Sequence, residues 1–118
     1  MEDKLYFYRA KVVSVYDGDT LRADVDLGMK TWVRNEKFRL ARINAPELRG
    51  ADRQKGLASR DYLRELILGK EVVLETIKDR EGKYGRYLVE VWLEKSGKWV
   101  NVNDTMVQKG FAEYVNYL

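Results

Sequence analysis

The chain has 118 residues and a mass of 13.9 kDa, the size of one domain, and its 45% hydrophobic and 35% charged residues suit a packed core under a well-solvated surface. It contains neither histidine nor cysteine, which excludes imidazole and thiolate metal sites, disulfides and every histidine-based triad. The net charge of +3 is uneven: residues 30–60 hold nine Lys/Arg against three Asp/Glu, a local +6 that suits an anionic partner.

The first ten residues lack an apolar leader segment, and no stretch is long and apolar enough to span a membrane, so a cytoplasmic protein is expected. Residues 6–16 alternate and are rich in Val and Tyr, and Leu21, Ala23, Val25 and Leu27 alternate with charged neighbours. Two strands therefore flank a turn at Asp17-Gly18, where glycine's tolerance of positive φ favours a hairpin. A third strand is expected over residues 36–44, ending before Ala45-Pro46 because proline donates no ladder hydrogen bond.

From Asp52 to Leu68 the spacing turns helical, with Ala58, Tyr62, Leu63, Leu66 and Ile67 on one stripe and Gly69 as terminator. Val72, Val73, Leu74 and Ile77 read as a fourth strand, Asp79 to Lys83 as a turn, and Leu88 to Leu93 as a fifth strand. A short β extension around Trp99 and Val100 leads into a second helix, capped by Asn101 or Asn103, with a Val102, Met106, Val107 stripe and Gly110 at its end. The order β-β-β-α-β-β-α without repeat or linker predicts a single domain over residues 1–118, a five-stranded OB-fold barrel with two packed helices.

Four segments carry possible chemistry: Asp17-Gly18-Asp19-Thr20, Phe38-Arg39-Leu40, Ile43-Asn44-Ala45-Pro46-Glu47 and Lys83-Tyr84-Gly85-Arg86. Each alone is ordinary, a turn, a snorkelling arginine or a loop start. Together they suit metal-assisted phosphodiester hydrolysis. A hard cation takes oxygen ligands, which Asp19, the Asn44 side chain and a backbone carbonyl near Ala45 can supply; calcium is favoured over zinc because histidine and cysteine are missing. Arg39 and Arg86 can each present a guanidinium fork to phosphate, and Glu47 can orient or deprotonate the attacking water.

In these four segments, taken in order and with closely similar spacing, the chain from Val12 to about Tyr114 resembles the staphylococcal nuclease-like (thermonuclease) family. The resemblance implies a calcium-dependent nuclease on an OB-fold that cleaves DNA and RNA phosphodiesters, leaves 3′-phosphate ends and acts as a monomer on single-stranded substrate. It makes Asp19 a calcium ligand with Asp17 in support, Thr20 a neighbour of the metal's water shell, Arg39 and Arg86 phosphate clamps, and Glu47 the general base. It makes Lys83, Tyr84 and Tyr114 contacts to the nucleotide.

Two departures accompany it. The family's best-studied members carry aspartate where this chain has Asn44 and threonine where it has Ala45, so the cation site loses one formal charge and is expected to be weak, with a dissociation constant on the order of 10⁻³ M. The chain also stops at Leu118, where family members often continue into a third helix. The alternative from another class is a catalytically weak or inactive nucleic-acid-binding module, which typically loses the acidic and arginine positions that are kept here.

Overall fold

Alternating burial along two long strands starts the barrel. The computed structural model describes residues 6–81 and 87–115, the side chains of 78–81 aside. In it β1 (Phe7–Asp17) and β2 (Thr20–Asp26) form an antiparallel hairpin running from Arg9 opposite Asp26 to Asp17 opposite Thr20. Ala10, Val12 and Val15 of β1 and Leu21, Ala23 and Val25 of β2 are buried. Register shifts between Val12 and Ser14 and between Val15 and Asp17 add the local twist that a closing sheet needs.

β3 (Trp32–Leu40) pairs with β2, β5 (Glu71–Glu81) with the other edge of β1, and β6 (Tyr87–Lys95) with β5. Closure comes from β6, whose Tyr87, Leu88 and Val89 run parallel to Phe38, Arg39 and Leu40. The five strands β3-β2-β1-β5-β6 thus form a closed barrel of OB type, as expected from the sequence. The far end of β6 carries β7 (Lys98–Asn101) as a hairpin. Val12, Leu21, Leu40, Leu74, Val89 and Val91 fill the interior at essentially zero exposure.

The third strand differs from the expected 36–44. It starts earlier, at Trp32, and stops at Leu40, because Arg42 adopts a left-handed backbone (φ 68°) and turns the chain out of the barrel. Ile43–Asn44 forms a separate short strand, β4, paired with β8 (Glu113–Tyr114). A left-handed arginine is strained, and here it is held by three charged contacts. Its Nε donates to Glu90 at 2.7 Å and its Nη2 at 2.8 Å, while Nη1 lies 2.9 Å from Asp104. Asp79 to Glu81, expected in a turn, belong instead to β5, with Glu81 in register with Tyr87.

A 3-10 turn (Gly50–Asp52) leads into α1 (Arg53–Ile67). Its buried face is Gly56, Ser59, Leu63 and Ile67, and Ala58, expected on the stripe, is exposed. The apolar pattern slid by one residue because two of the buried positions are not hydrophobic. Gly69, at φ 76°, ends the helix, and its N–H donates to Val12 O at 2.9 Å, stitching the exit to β1. The second helix, α2 (Val102–Gln108), is capped by Asn101, whose side chain accepts from Asp104 N at 2.9 Å, and Gly110 follows its end at φ 84°.

Asn103 is wholly buried under α2. Its amide nitrogen donates to Ala41 O at 3.0 Å and Val89 O at 2.9 Å, and its oxygen accepts from Val91 N at 3.0 Å. One side chain thereby serves Ala41 O and Val91 N in the interior and adds a second donor to Val89 O, which already accepts from Ala41 N at 2.8 Å.

Candidate active site

The tight β1–β2 loop, Gly18-Asp19, sits at one end of the barrel. Gly18 does not use positive φ, contrary to the expectation for this turn. Glycine is required for a different reason: a Cβ there would overlap the Ser59 hydroxyl of α1 and lie 2.7 Å from the Ala45 methyl. Gly56, one helical turn earlier, does the same for the next loop. A Cβ there would run into the Glu47 carbonyl and lie 3.0 Å from the Pro46 carbonyl. Two glycines therefore let the hairpin and the Ala45-Pro46-Glu47 segment approach within backbone contact of each other and of the helix. Ser59 completes the joint by donating to Phe111 O at 2.8 Å.

Asp19, only 6% exposed, is the centre of what this joint assembles. Its Oδ2 accepts from Ala45 N at 2.8 Å and lies 3.3 Å from Arg39 Nη2, while its Oδ1 accepts from the Thr20 hydroxyl at 3.2 Å. The backbone also ties the loop to β3, since Leu40 N donates to Asp19 O at 2.8 Å. Asp17 Oδ1 accepts from Asp19 N at 3.1 Å. Burial and, second, the charge of Asp19 raise the Asp17 carboxyl from its ordinary range to about 6.

Arg39, 9% exposed, reaches the same place from β3 because Thr20 and Arg39 are cross-strand partners. Its Nη1 donates to Leu40 O at 2.8 Å and Ile43 O at 2.9 Å, and its Nη2 donates to Asn44 Oδ1 at 3.1 Å. The guanidinium thus stands between Asp19 and Asn44, in contact with both oxygens. Burying such a charge is costly unless it is paired and hydrogen-bonded, and here it is both.

Asp17, Asp19, Thr20, Arg39, Asn44 and Ala45 are therefore gathered at one point. Glu47 is close in sequence but exposed, its carboxylate accepting from Arg49 Nε at 3.3 Å. Tyr114 is placed on the far side of the Ile43 turn: its hydroxyl donates to Asp104 at 2.8 Å and the Arg42 guanidinium sits 5.7 Å from its ring centre. Lys83, Tyr84 and Arg86 lie outside the described residues. Gly56 and Ser59 were not singled out from the sequence, although a glycine inside a helical pattern is itself a sign of close backbone approach.

The donor chemistry fits a hard cation. Asp19, Asp17, the Asn44 amide oxygen and the Ala45 carbonyl are all oxygen donors, and a cation would offset the burial and, second, the charge of Asp19 that together raise the Asp17 pKa. Among the described residues no three acidic side chains gather in one group, so the charge count is low.

Fold and site together define an OB-barrel domain with a carboxylate and arginine centre built from its first hairpin and the loop after its third strand. The family model of the staphylococcal nuclease homologues matches residues 37–118, and the chain belongs to that family. It is 28% identical over 105 residues to a thermonuclease of Staphylococcus hyicus, covering 86% of this chain and 56% of that one. It is also 26% identical over 120 residues to the uncharacterized protein MJ1439 of Methanocaldococcus jannaschii, covering 89% of this chain and 58% of that one. The chain thus spans somewhat over half the length of these relatives.

Proposed function

We propose that residues 1–118 act as one nuclease unit that hydrolyses DNA and RNA phosphodiester bonds with calcium and releases 3′-phosphate ends. The observation that carries this reading is the buried pair of Asp19 and Arg39, 3.3 Å apart beside a second carboxylate of raised pKa. Opposite charges kept at a barrel end, where neither supports the apolar core, suit a reaction that must hold both a cation and an anion.

In this reading Asp19, Asp17, Asn44 Oδ1 and the Ala45 carbonyl hold calcium, which supplies charge neutralisation at the phosphate. Arg39 and Arg86 fork onto phosphate oxygens, where charge grows in the five-coordinate transition state. Arg39 Nη2 exchanges Asn44 and Asp19 for phosphate, while the Nη1 bonds to Leu40 O and Ile43 O keep the guanidinium oriented. Glu47, exposed and on the loop that Gly56 holds in place, takes the proton of the attacking water. Lys83, Tyr84 and Tyr114 contact the nucleotide, and the unit works as a monomer on single strands.

The engagement of Arg39 by four protein acceptors favours a second reading, a nucleic-acid-binding module with little or no hydrolysis. Single-stranded DNA incubated with the protein in calcium and in chelator, with product ends mapped, separates the two. Calcium-dependent cleavage to 3′-phosphate ends is expected, and Glu47→Gln or Arg39→Ala should slow it by about 10²- to 10³-fold. Binding without cleavage establishes the module instead, and full activity in either variant refutes the assigned roles.

A further inference from the structure

A groove of about 500 Å³ opens beside the candidate active site, lined by Ser14, Tyr16, Thr20, Arg22, Lys37 and Arg64 over a floor of Val15 and Leu21. Thr20 joins the two places: it lines the groove and donates its hydroxyl to Asp19. Three cations and no carboxylate line this space. Arg22 on β2 and Lys37 on β3 are directly opposite each other in the ladder, a like-charge pairing that disfavours the sheet unless an anion offsets it. Arg64 enters from α1, its position fixed by Nε and Nη2 donating to Val15 O at 3.1 and 3.0 Å.

These cations are set apart by sharing one groove whose lining holds no carboxylate. Arg34, Arg39, Arg42, Arg49 and Arg60 each lie against a carboxylate, whereas among the described residues Arg22, Lys37 and Arg64 have none within ion-pair distance. The cleft on the other flank of the site, beside Asn44 and Ala45, sets Asp52 and Glu113 against Lys55 and gathers no positive field. Tyr16, 68% exposed at the β1 bulge, stands at the rim of the basic groove and presents a ring to solvent. Cations spaced along a groove with an exposed aromatic at its edge are the features that hold a single strand, the cations on phosphates and the ring against a base.

We infer that this groove is a second nucleic-acid subsite, in which Arg22, Lys37 and Arg64 hold backbone phosphates of the strand flanking the bond at Asp19 and Tyr16 stacks on a base. The choice of ligand rests on the nuclease reading above, but binding can be tested apart from hydrolysis. A single-stranded oligothymidylate of about 12 nucleotides, a length within the span of one OB barrel, is titrated against full-length protein in chelator at several salt concentrations.

The double variant Arg22→Ala/Lys37→Ala should bind about tenfold more weakly near 0.1 M salt and flatten the slope of log affinity against log salt by about 1.4, two phosphate contacts' worth. Lys95→Ala/Lys98→Ala, an equal loss of charge on the exposed β6–β7 hairpin, should leave the slope unchanged. Tyr16→Ser should weaken binding about fivefold or more at constant slope, the signature of lost stacking. Circular dichroism confirms that each variant is folded before it is titrated. Equal slopes for wild type and the groove variant overturn the subsite, as does a wild type that does not bind. A groove variant that loses its slope in a protein unable to cleave supports the subsite and removes only the hydrolysis.

Discussion

Replacing Asn44 by aspartate adds one negative charge to the oxygens proposed to hold a cation, and the geometry bounds the size of the effect. Asn44 Oδ1 lies 3.1 Å from Arg39 Nη2, which lies 3.3 Å from Asp19 Oδ2, so Asn44 and Asp19 bracket the same point in space. A carboxylate and a divalent ion about 4 Å apart attract by about 2 kcal/mol in the dielectric of water and about 8 kcal/mol at an effective constant of 20. Because Asn44 is exposed, the lower figure applies, roughly a thirtyfold gain in affinity. The new carboxylate also strengthens the contact with Arg39, which competes with the cation, so about tenfold tighter calcium binding is the expected net change. Calorimetric titration of both proteins with calcium measures it, and thermal melts in chelator separate any gain in intrinsic stability. Equal dissociation constants would refute the placement of Asn44 at the cation site. Tighter binding without a matching fall in the calcium needed for cleavage would take the ion out of the reaction.

Gly56→Ala should destabilise by about 1–3 kcal/mol although alanine is the better helix former, because its methyl group meets the Glu47 carbonyl backbone; a urea melt showing higher stability would refute the close approach. Asn103→Ala removes the side-chain partner of buried Ala41 O and Val91 N, while Val89 O keeps Ala41 N, and should cost about 2–4 kcal/mol; a loss under about 1 kcal/mol in the same assay would show that the two groups find other partners. The pH dependence follows from Asp17: its folded pKa of about 6 exceeds its unfolded value, so the native state binds the proton more tightly between about pH 4 and 6. Stability in chelator should therefore fall as pH rises through that window, and Asp17→Asn should be the more stable protein at pH 8 by about 1–2 kcal/mol after allowance for solvent screening of a partly exposed group. Denaturant midpoints at pH 4.5 and 8 check this, and an identical pH profile in the variant would sink it.

The barrel was legible from residue types because its strands bury Val12, Leu21, Ala23, Leu74 and Val91 on one face at period two, and that signal extends over many residues. Boundaries failed where one backbone angle decided them. Nothing in the run Phe38 to Asn44 announces that Arg42 turns left-handed, since the compensation comes from Glu90 and Asp104, about 50 and 60 residues away in the chain. The two-residue strands β4 and β8 carry no period at all. The helix stripe was misread at Ala58 for a related reason: apolar periodicity cannot see Gly56 and Ser59, which are buried because other backbone presses on them.

The same distinction governs the site. Asp19, Arg39 and Asn44 could be picked out as chemical types, but their convergence depends on contacts that residue type does not encode. Gly18 fits a hairpin by its usual role in turns, yet it is needed because α1 and Ala45 leave no room for a methyl group. The helix is therefore part of the geometry of the candidate site without contributing a charged group to its centre. A change at Gly18 or Gly56 would displace the hairpin or the Glu47 loop against a helix anchored to β1 through Gly69, and Ala45 N would lose its 2.8 Å contact with Asp19. Asp19 would then lose a buried hydrogen bond, so packing at two glycines governs the contacts of the carboxylate at the centre of the candidate site.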